Sequence, residues 1–248
     1  VAKKSKIEWT DATWNPWYGC QKISQGCKNC YMYRDMKRTP FDPDVVTRSK
    51  TKFNDPMKWK EPLKVFTCSW SDFFIEEADE WRAEALQIIA QTPHLTYQIL
   101  TKRPERVLPW LDSACWPVSG CPIDTLPDNV WLGISAETQA DYDKRIHHLL
   151  EVPASVHFLS CEPLLGMIHF GGAINNVDWV ITGGESGFNC RLADPIWFQA
   201  IRDQCAANDV AYFHKQNGGN RKIDGIWGGN TFDGFSYQGF PFTKNRVV

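Results

Sequence analysis

The chain has no apolar run long enough to serve as a signal peptide or a membrane span. Its first residues, Val1-Ala2-Lys3-Lys4-Ser5-Lys6, are polar. The expectation is a cytoplasmic protein with no membrane partner. It also lacks an even set of cysteines. Nine cannot all pair as disulfides, and in a reducing compartment clustered thiols point to metal or redox chemistry. A large net charge is missing too, since the formal balance is −2, so composition alone does not demand a polyanionic partner. Gly-rich runs occur late in the chain, but none has the spacing of a phosphate-binding loop.

One stretch near the start does carry a signal. Trp14-Asn15-Pro16-Trp17-Tyr18-Gly19-Cys20 is followed by Gly26-Cys27-Lys28-Asn29-Cys30-Tyr31. The three cysteines have no fourth nearby in sequence. Structural zinc wants four ligands, and a cuboidal iron–sulfur cluster usually wants four cysteines. Three thiolates on a [4Fe–4S] cluster leave one iron open to a ligand that is not a side chain. The residue reading leaves two alternatives, a zinc site completed by a distant His or Cys, and unliganded structural thiols. The arrangement resembles the cluster loop of radical S-adenosylmethionine (SAM) enzymes, with a longer first gap than their usual C-x3-C-x2-C. Tyr31 takes the aromatic position after the third cysteine and opens a short helix, Tyr31 to Arg38.

Charge is distributed unevenly. Residues 1–64 hold 14 Lys/Arg against 7 Asp/Glu, leaving 13 against 22 beyond them. The basic side chains concentrate between Arg34 and Lys64, with Phe41, Phe53 and Trp59 among them. Residues 34–64 are thus a candidate nucleic-acid surface with stacking rings. The alternative is a solvated connection whose aromatics anchor it to the body.

Beyond residue 62 short apolar, β-branched runs alternate with helical patterns. The predicted strands are Leu63–Cys68, Leu95–Leu100, Val130–Ile134, Val156–Leu159, Val177–Ile181 and Val210–Phe213, after a first strand just before Cys20. Helical spacing joins Trp81, Ala85, Ile88 and Ile89, and again Tyr142, Ile146, Leu149 and Leu150 behind a Thr138 cap. Asp194-Pro195 reads as an N-cap and first helical residue. This alternation predicts an α/β fold, a partial or open (β/α) barrel of about six or seven parallel strands, with a doubly wound sheet as the alternative. The chain reads as a single domain over 1–248. Residues 1–62 carry the cysteine loop and basic segment, 63–216 the βα repeats, and 217–248 a Gly- and aromatic-rich tail. Asp224-Gly225 and Asp233-Gly234 predict tight hairpins there, closing one end of the barrel.

In such folds the chemistry sits at the C-terminal ends of the strands. That rule gathers Ser69, Ser71, Asp72, Lys102, Arg103, Ser135, Glu137, Cys161, Glu162, Gly183, Gly184, Glu185, Lys215 and Gln216 onto one rim. His147 and His148 fall on a helix away from it and read as structural.

Glu8-Trp9-Thr10-Asp11, Trp14-Asn15-Pro16, the cysteine loop, Leu100-Thr101-Lys102-Arg103-Pro104, Trp131-Leu132-Gly133-Ile134-Ser135, Leu159 to Gly166, Gly183 to Gly187 and Lys215-Gln216 together resemble the phage and bacterial gp thirty-seven/sixty-eight proteins. That family is regarded as radical-SAM-like, with no settled substrate. The segment Ser113 to Pro127, with Cys115 and Cys121, looks less like it. The resemblance implies a [4Fe–4S] cluster on Cys20, Cys27 and Cys30, SAM on the open iron, and a 5′-deoxyadenosyl radical that abstracts hydrogen from a substrate. It also implies an electron donor such as flavodoxin or ferredoxin, and a protein partner of the three-cysteine-motif type. Tyr31, Ser69, Ser71 and Asp72 are then expected near SAM, Ser135 and Glu137 at its ribose, Lys102 or Arg103 at its carboxylate, and Gly183-Gly184-Glu185 as a late GGE-type element. Glu162 is the expected substrate ligand or proton acceptor, and Cys161, ahead of Cys68, the expected hydrogen donor. The alternative functions are a nucleic-acid-binding module with a structural metal and a radical SAM enzyme acting on a peptide or small metabolite.

Overall fold

The computed structural model describes residues 5–242. Seven strands, all parallel, form one sheet in chain order. They are β1 (Ala12–Trp14), β2 (Lys64–Thr67), β3 (Thr96–Thr101), β4 (Val130–Ser135), β5 (Val156–Cys161), β6 (Trp179–Gly183) and β7 (Ala211–Gln216). The sheet is a half-barrel, with β1 and β7 as unpaired edges. Parallel neighbours need crossovers. These contain α1 (Tyr31–Met36), α2 (Asp79–Gln91), α3 (Val107–Ser113), α4 (Gln139–Glu151) and α5 (Pro195–Ala207). A 3-10 turn, Gly171–Asn176, links β5 to β6. Among the described residues no helix is long and apolar enough to cross a membrane.

The helices form where apolar residues recur on one face. Ala85, Leu86, Ile88 and Ile89 bury one side of α2, Tyr142, Ile146 and Leu149 one side of α4, and Phe198, Ile201 and Cys205 one side of α5. Thr138 caps α4 by accepting from Asp141 N at 3.2 Å, and Asp194 caps α5 by accepting from Ile196 N at 3.0 Å. Arg82 is the exception to the pattern on α2. It is fully buried, donating to the Phe73 and Ile75 carbonyls at 2.8 and 2.6 Å and pairing with Asp79.

Side chains alternate across each strand, and the two faces build two cores. Val130, Leu132 and Ile134 on β4 face the helices, as do Leu159 and Cys161 on β5 and Val180 on β6. Trp131, Phe158, Trp179, Ile181 and Phe213 fill the concave face with Trp9 and Phe66. Trp179 is central there, its ring centroid within 6.3 Å of those of Trp9, Trp131, Phe158 and Phe213. Each such ring contributes roughly 1.5–3 kcal/mol by leaving water.

Parallel pairing carries several strands past their predicted ends. Ser135 pairs with Ser160, Cys161 with Thr182 and Gly183 with Gln216. Several expected rim residues are therefore the last residues of strands, with directions fixed by alternation. The tail's two hairpins turn at Asp224-Gly225 and Asp233-Gly234, all four residues at positive φ. The chain then runs beside β7: Phe213 bridges Gln238, and His214 N donates to Tyr237 O at 2.8 Å. There it covers the β7 edge, whose backbone groups need partners, while the first hairpin lies at the cavity end of the sheet through Trp227.

Candidate functional site

A cavity of about 480 Å³ opens at the C-terminal ends of the strands. Cys20, Cys27 and Cys30 line one side, Glu162 and Lys215 are also in its wall, and Trp9, Phe66 and Leu100 give it an apolar surface. Its size suits a cofactor-sized ligand.

The cysteine loop is braced from several strand ends. Gly19 has φ +92, and a Cβ there would come within 2.2 Å of Val45 O, so only glycine fits. Ser71 donates to Gly19 O at 2.6 Å. Arg103 donates to Gln21 O at 3.0 Å while paired with Asp72 at 3.1 Å. Ser24 donates to Glu137 at 3.0 Å, Asn29 to Glu185 at 2.9 Å, and Tyr31 OH to Ser69 O at 2.7 Å.

Three acidic residues expected at SAM are thus already engaged. Asp72 accepts from Phe74 N, Thr101 Oγ1, Lys102 N and Arg103. Glu137 is fully buried between Ser24, Lys102 and Arg145 and lies behind the cavity wall. Glu185 holds Asn29 and the Arg191 guanidinium and backbone. The paired Arg191 and Asn29 keep the Glu185 carboxyl below its usual range, although burial opposes them. These carboxylates brace the loop, and Asp72 and Glu185 also line the cavity whereas Glu137 does not.

Two further expectations change. Cys161 faces outward into the helix-side core and is fully buried. Its neighbours in β5, Ser160 and Glu162, line the cavity in its place. Cys68, ranked below it, does line the cavity, at φ +62 after β2. Gly183 is also withdrawn from the cavity surface, whereas Gly184 remains on it. His214 points to the helix side, with Nδ1 2.9 Å from Thr182 Oγ1 and Nε2 3.0 Å from Asn217 Oδ1. Asn217 spends its Nδ2 hydrogens on the Gly228 and Thr231 carbonyls. Its Oδ1 must therefore accept, which puts the His214 proton on Nε2. With His214 locked outward, Lys215 faces the cavity and reaches Glu162 at 2.7 Å.

Cys20, Cys27 and Cys30 carry the thiols that could hold an iron–sulfur cluster. Among the described residues no three His, Cys, Asp or Glu side chains gather closely enough to hold one metal ion. Ligands to separate irons of a cluster do not have to converge on one point. Cys190, the sequence's unread cysteine on this side, follows Asn189, whose carbonyl holds Asn29, yet it does not line the cavity. Burial opposes the Cys27 thiolate, but Lys102 and hydrogen bonds from Ser24 and the backbone outweigh it and hold the thiol below its usual value. Burial pushes Cys30 up, and burial with the charge of Asp72 takes Cys20 to about 12.

The basic segment does not form one surface. Phe53 and Trp59 are core residues, and Arg48, Lys52, Lys58 and Lys64 pair with Glu84, Asp55 and Asp11. The segment runs from α1 at the cavity to Trp59, whose carbonyl meets His94 at the opposite end of the sheet.

A family model described as "Protein of unknown function (DUF5131)" matches residues 4–241. The chain belongs to this family. No curated protein and no solved structure matches it.

Proposed function

We propose that this protein is a radical SAM enzyme with a [4Fe–4S] cluster on Cys20, Cys27 and Cys30. The observation that supports the reading most is a braced three-cysteine loop opening on a cavity at the C-terminal ends of a parallel half-barrel. Cluster and SAM together would supply one-electron cleavage of a sulfonium and, from it, hydrogen-atom abstraction.

The chain's own residues divide the remaining work. Glu137, Glu185, Arg103 and Ser71 keep the loop in place. Ser135, Ser160 and the Glu162–Lys215 pair are left to meet polar groups of cofactor and substrate. Trp9, Phe66 and Leu100 offer an apolar wall to adenine and exclude water. Trp9 Nε1 is buried without a partner among the described residues. Glu162 can take a proton from substrate, and the adjacent Lys215 ammonium stabilises its carboxylate beforehand. A reduced carrier such as flavodoxin or ferredoxin would deliver the electron.

Anaerobic reconstitution followed by electron paramagnetic resonance tests this. The reduced protein should bind iron and sulfide in equal amounts, give a cluster signal that SAM alters, and lose it in Cys27→Ala. Retention of zinc instead, or a cluster signal that is indifferent to SAM, contradicts the reading.

A further inference from the structure

Two cation–ring pairs flank the cavity mouth, the first being Lys22 Nζ at 4.2 Å from the Tyr33 ring centroid. A Cβ on Gly187 would come within 2.5 Å of Arg34 Nη1, so the guanidinium lies over Gly187, beside Phe188. The Phe188 ring is 88% exposed, an unusual position for so large an apolar group. The second pair is on the first tail hairpin, where Lys222 Nζ lies 5.2 Å from the centroid of Trp227, which lines the cavity. The Phe188 and Trp227 segments sit close together, because Ser186 bridges Gly219 and Gly218 N bonds Trp227 O. Lys22 also lines the mouth, and Lys28 is exposed on the cysteine loop. Inside, Asp72, Glu162 and Glu185 are each matched by Arg103, Lys215 and Arg191. At the mouth Lys22, Lys28 and Lys222 have no carboxylate partner among the described residues, and Arg34 shares only the exposed Asp35, 3.4 Å away. Of the mouth's acids, Asp35 lines the cavity beside Arg34.

We propose that the cavity takes its substrate from single-stranded nucleic acid. Phe188 and Trp227 stack on bases, and Lys22, Lys28, Arg34 and Lys222 meet phosphates. Rings interleaved with cations are the arrangement that tracks a flexible strand without reading sequence. A paired base would have to leave its stack to reach Glu162 inside the cavity. The basic segment contributes through its first turn, at Arg34, and not through Lys50 to Lys64. This inference rests on the cavity being the reaction site proposed above.

The test is fluorescence anisotropy with labelled oligothymidylate and oligouridylate of about twelve nucleotides, on protein before and after cluster reconstitution. Four phosphate contacts give a log–log salt slope near about −3, a loss of about 50-fold between 50 and 200 mM salt. Phe188→Ala should weaken binding about tenfold. Lys22→Glu with Lys222→Glu should halve the salt slope, while Lys60→Glu, at the far end of the sheet, should leave binding unchanged. Tighter binding of one oligonucleotide names the sugar. Absence of binding, a preference for duplex, or indifference to Phe188→Ala and to the charge reversals overturns the proposal. Binding is read without SAM cleavage, so oligonucleotide binding with no SAM chemistry would sink only the enzymatic reading. SAM cleavage with no oligonucleotide binding would sink only this one.

Discussion

Replacing Gly26 by alanine should damage the site from within. Gly26 needs no left-handed backbone, but its Cβ would come within 2.3 Å of Glu137 Oε1 and 2.6 Å of its Cγ. A free carboxylate would swing away. This one is fully buried, bonded to Arg145 at 2.7 Å and Ser24 at 3.0 Å and paired with Lys102. Moving it strains or breaks those bonds, and moving the loop instead displaces Cys27. Overpacking of this kind costs about 1–3 kcal/mol, or a melting temperature lower by about 2–12 °C for a chain of this size. Calorimetry of the metal-free protein measures it without reference to any activity. Glu137→Asp draws the carboxylate back by one methylene, so Gly26→Ala/Glu137→Asp should be more stable than the sum of the single losses, by about 1 kcal/mol or more. Gly26→Ala melting within about 1 °C of wild type, or additivity within about 0.5 kcal/mol, would refute the clamp.

Other consequences follow from single residues. Burial pulls His214 from 6.5 to about 4, the Asn217 bond only partly offsetting it. The unfolded chain therefore takes up that proton first, and as pH falls from 6.5 toward 4 the chain should lose up to about 3 kcal/mol. Urea unfolding of wild type and His214→Gln across that range checks this, and equal pH slopes would contradict it. Thr138→Ala removes the α4 cap and should cost about 1 kcal/mol, or about 2–4 °C; an unchanged melting temperature would count against the cap. Cys161→Ala should cost about 1 kcal/mol as a core truncation and leave SAM cleavage intact. Loss of cleavage in the folded variant would restore the chemical role that the outward direction of Cys161 denies it.

The strands were legible because their apolar, β-branched runs are bounded by polar residues. Their ends were not. Ser160 and Gln216 look like loop residues, yet parallel pairing reaches both, the latter across a bulge at Lys215. The direction of Cys161 was hidden for a related reason. A parallel sheet is buried on both faces, so Phe158 and Leu159 are both apolar and the alternation leaves no trace. The cysteine loop could be read because its three cysteines are neighbours in sequence. Its braces could not, because Ser24 and Glu137 are 113 residues apart and Asn29 and Glu185 are 156 apart. Polar residues at strand ends were a sound guide to the cavity, but not to which of them are free to bind. Asp72, Glu162 and Glu185 all line the cavity and each is paired with a cation, whereas Glu137 lies behind its wall.

The most direct measurement is formation of 5′-deoxyadenosine. The protein is reconstituted anaerobically with iron and sulfide, reduced with dithionite and given SAM, with Cys30→Ala treated in parallel. Radical SAM chemistry predicts that 5′-deoxyadenosine appears with the wild-type chain and not with Cys30→Ala. A fully assembled, reducible cluster that leaves SAM uncleaved, or equal product from Cys30→Ala, would contradict it.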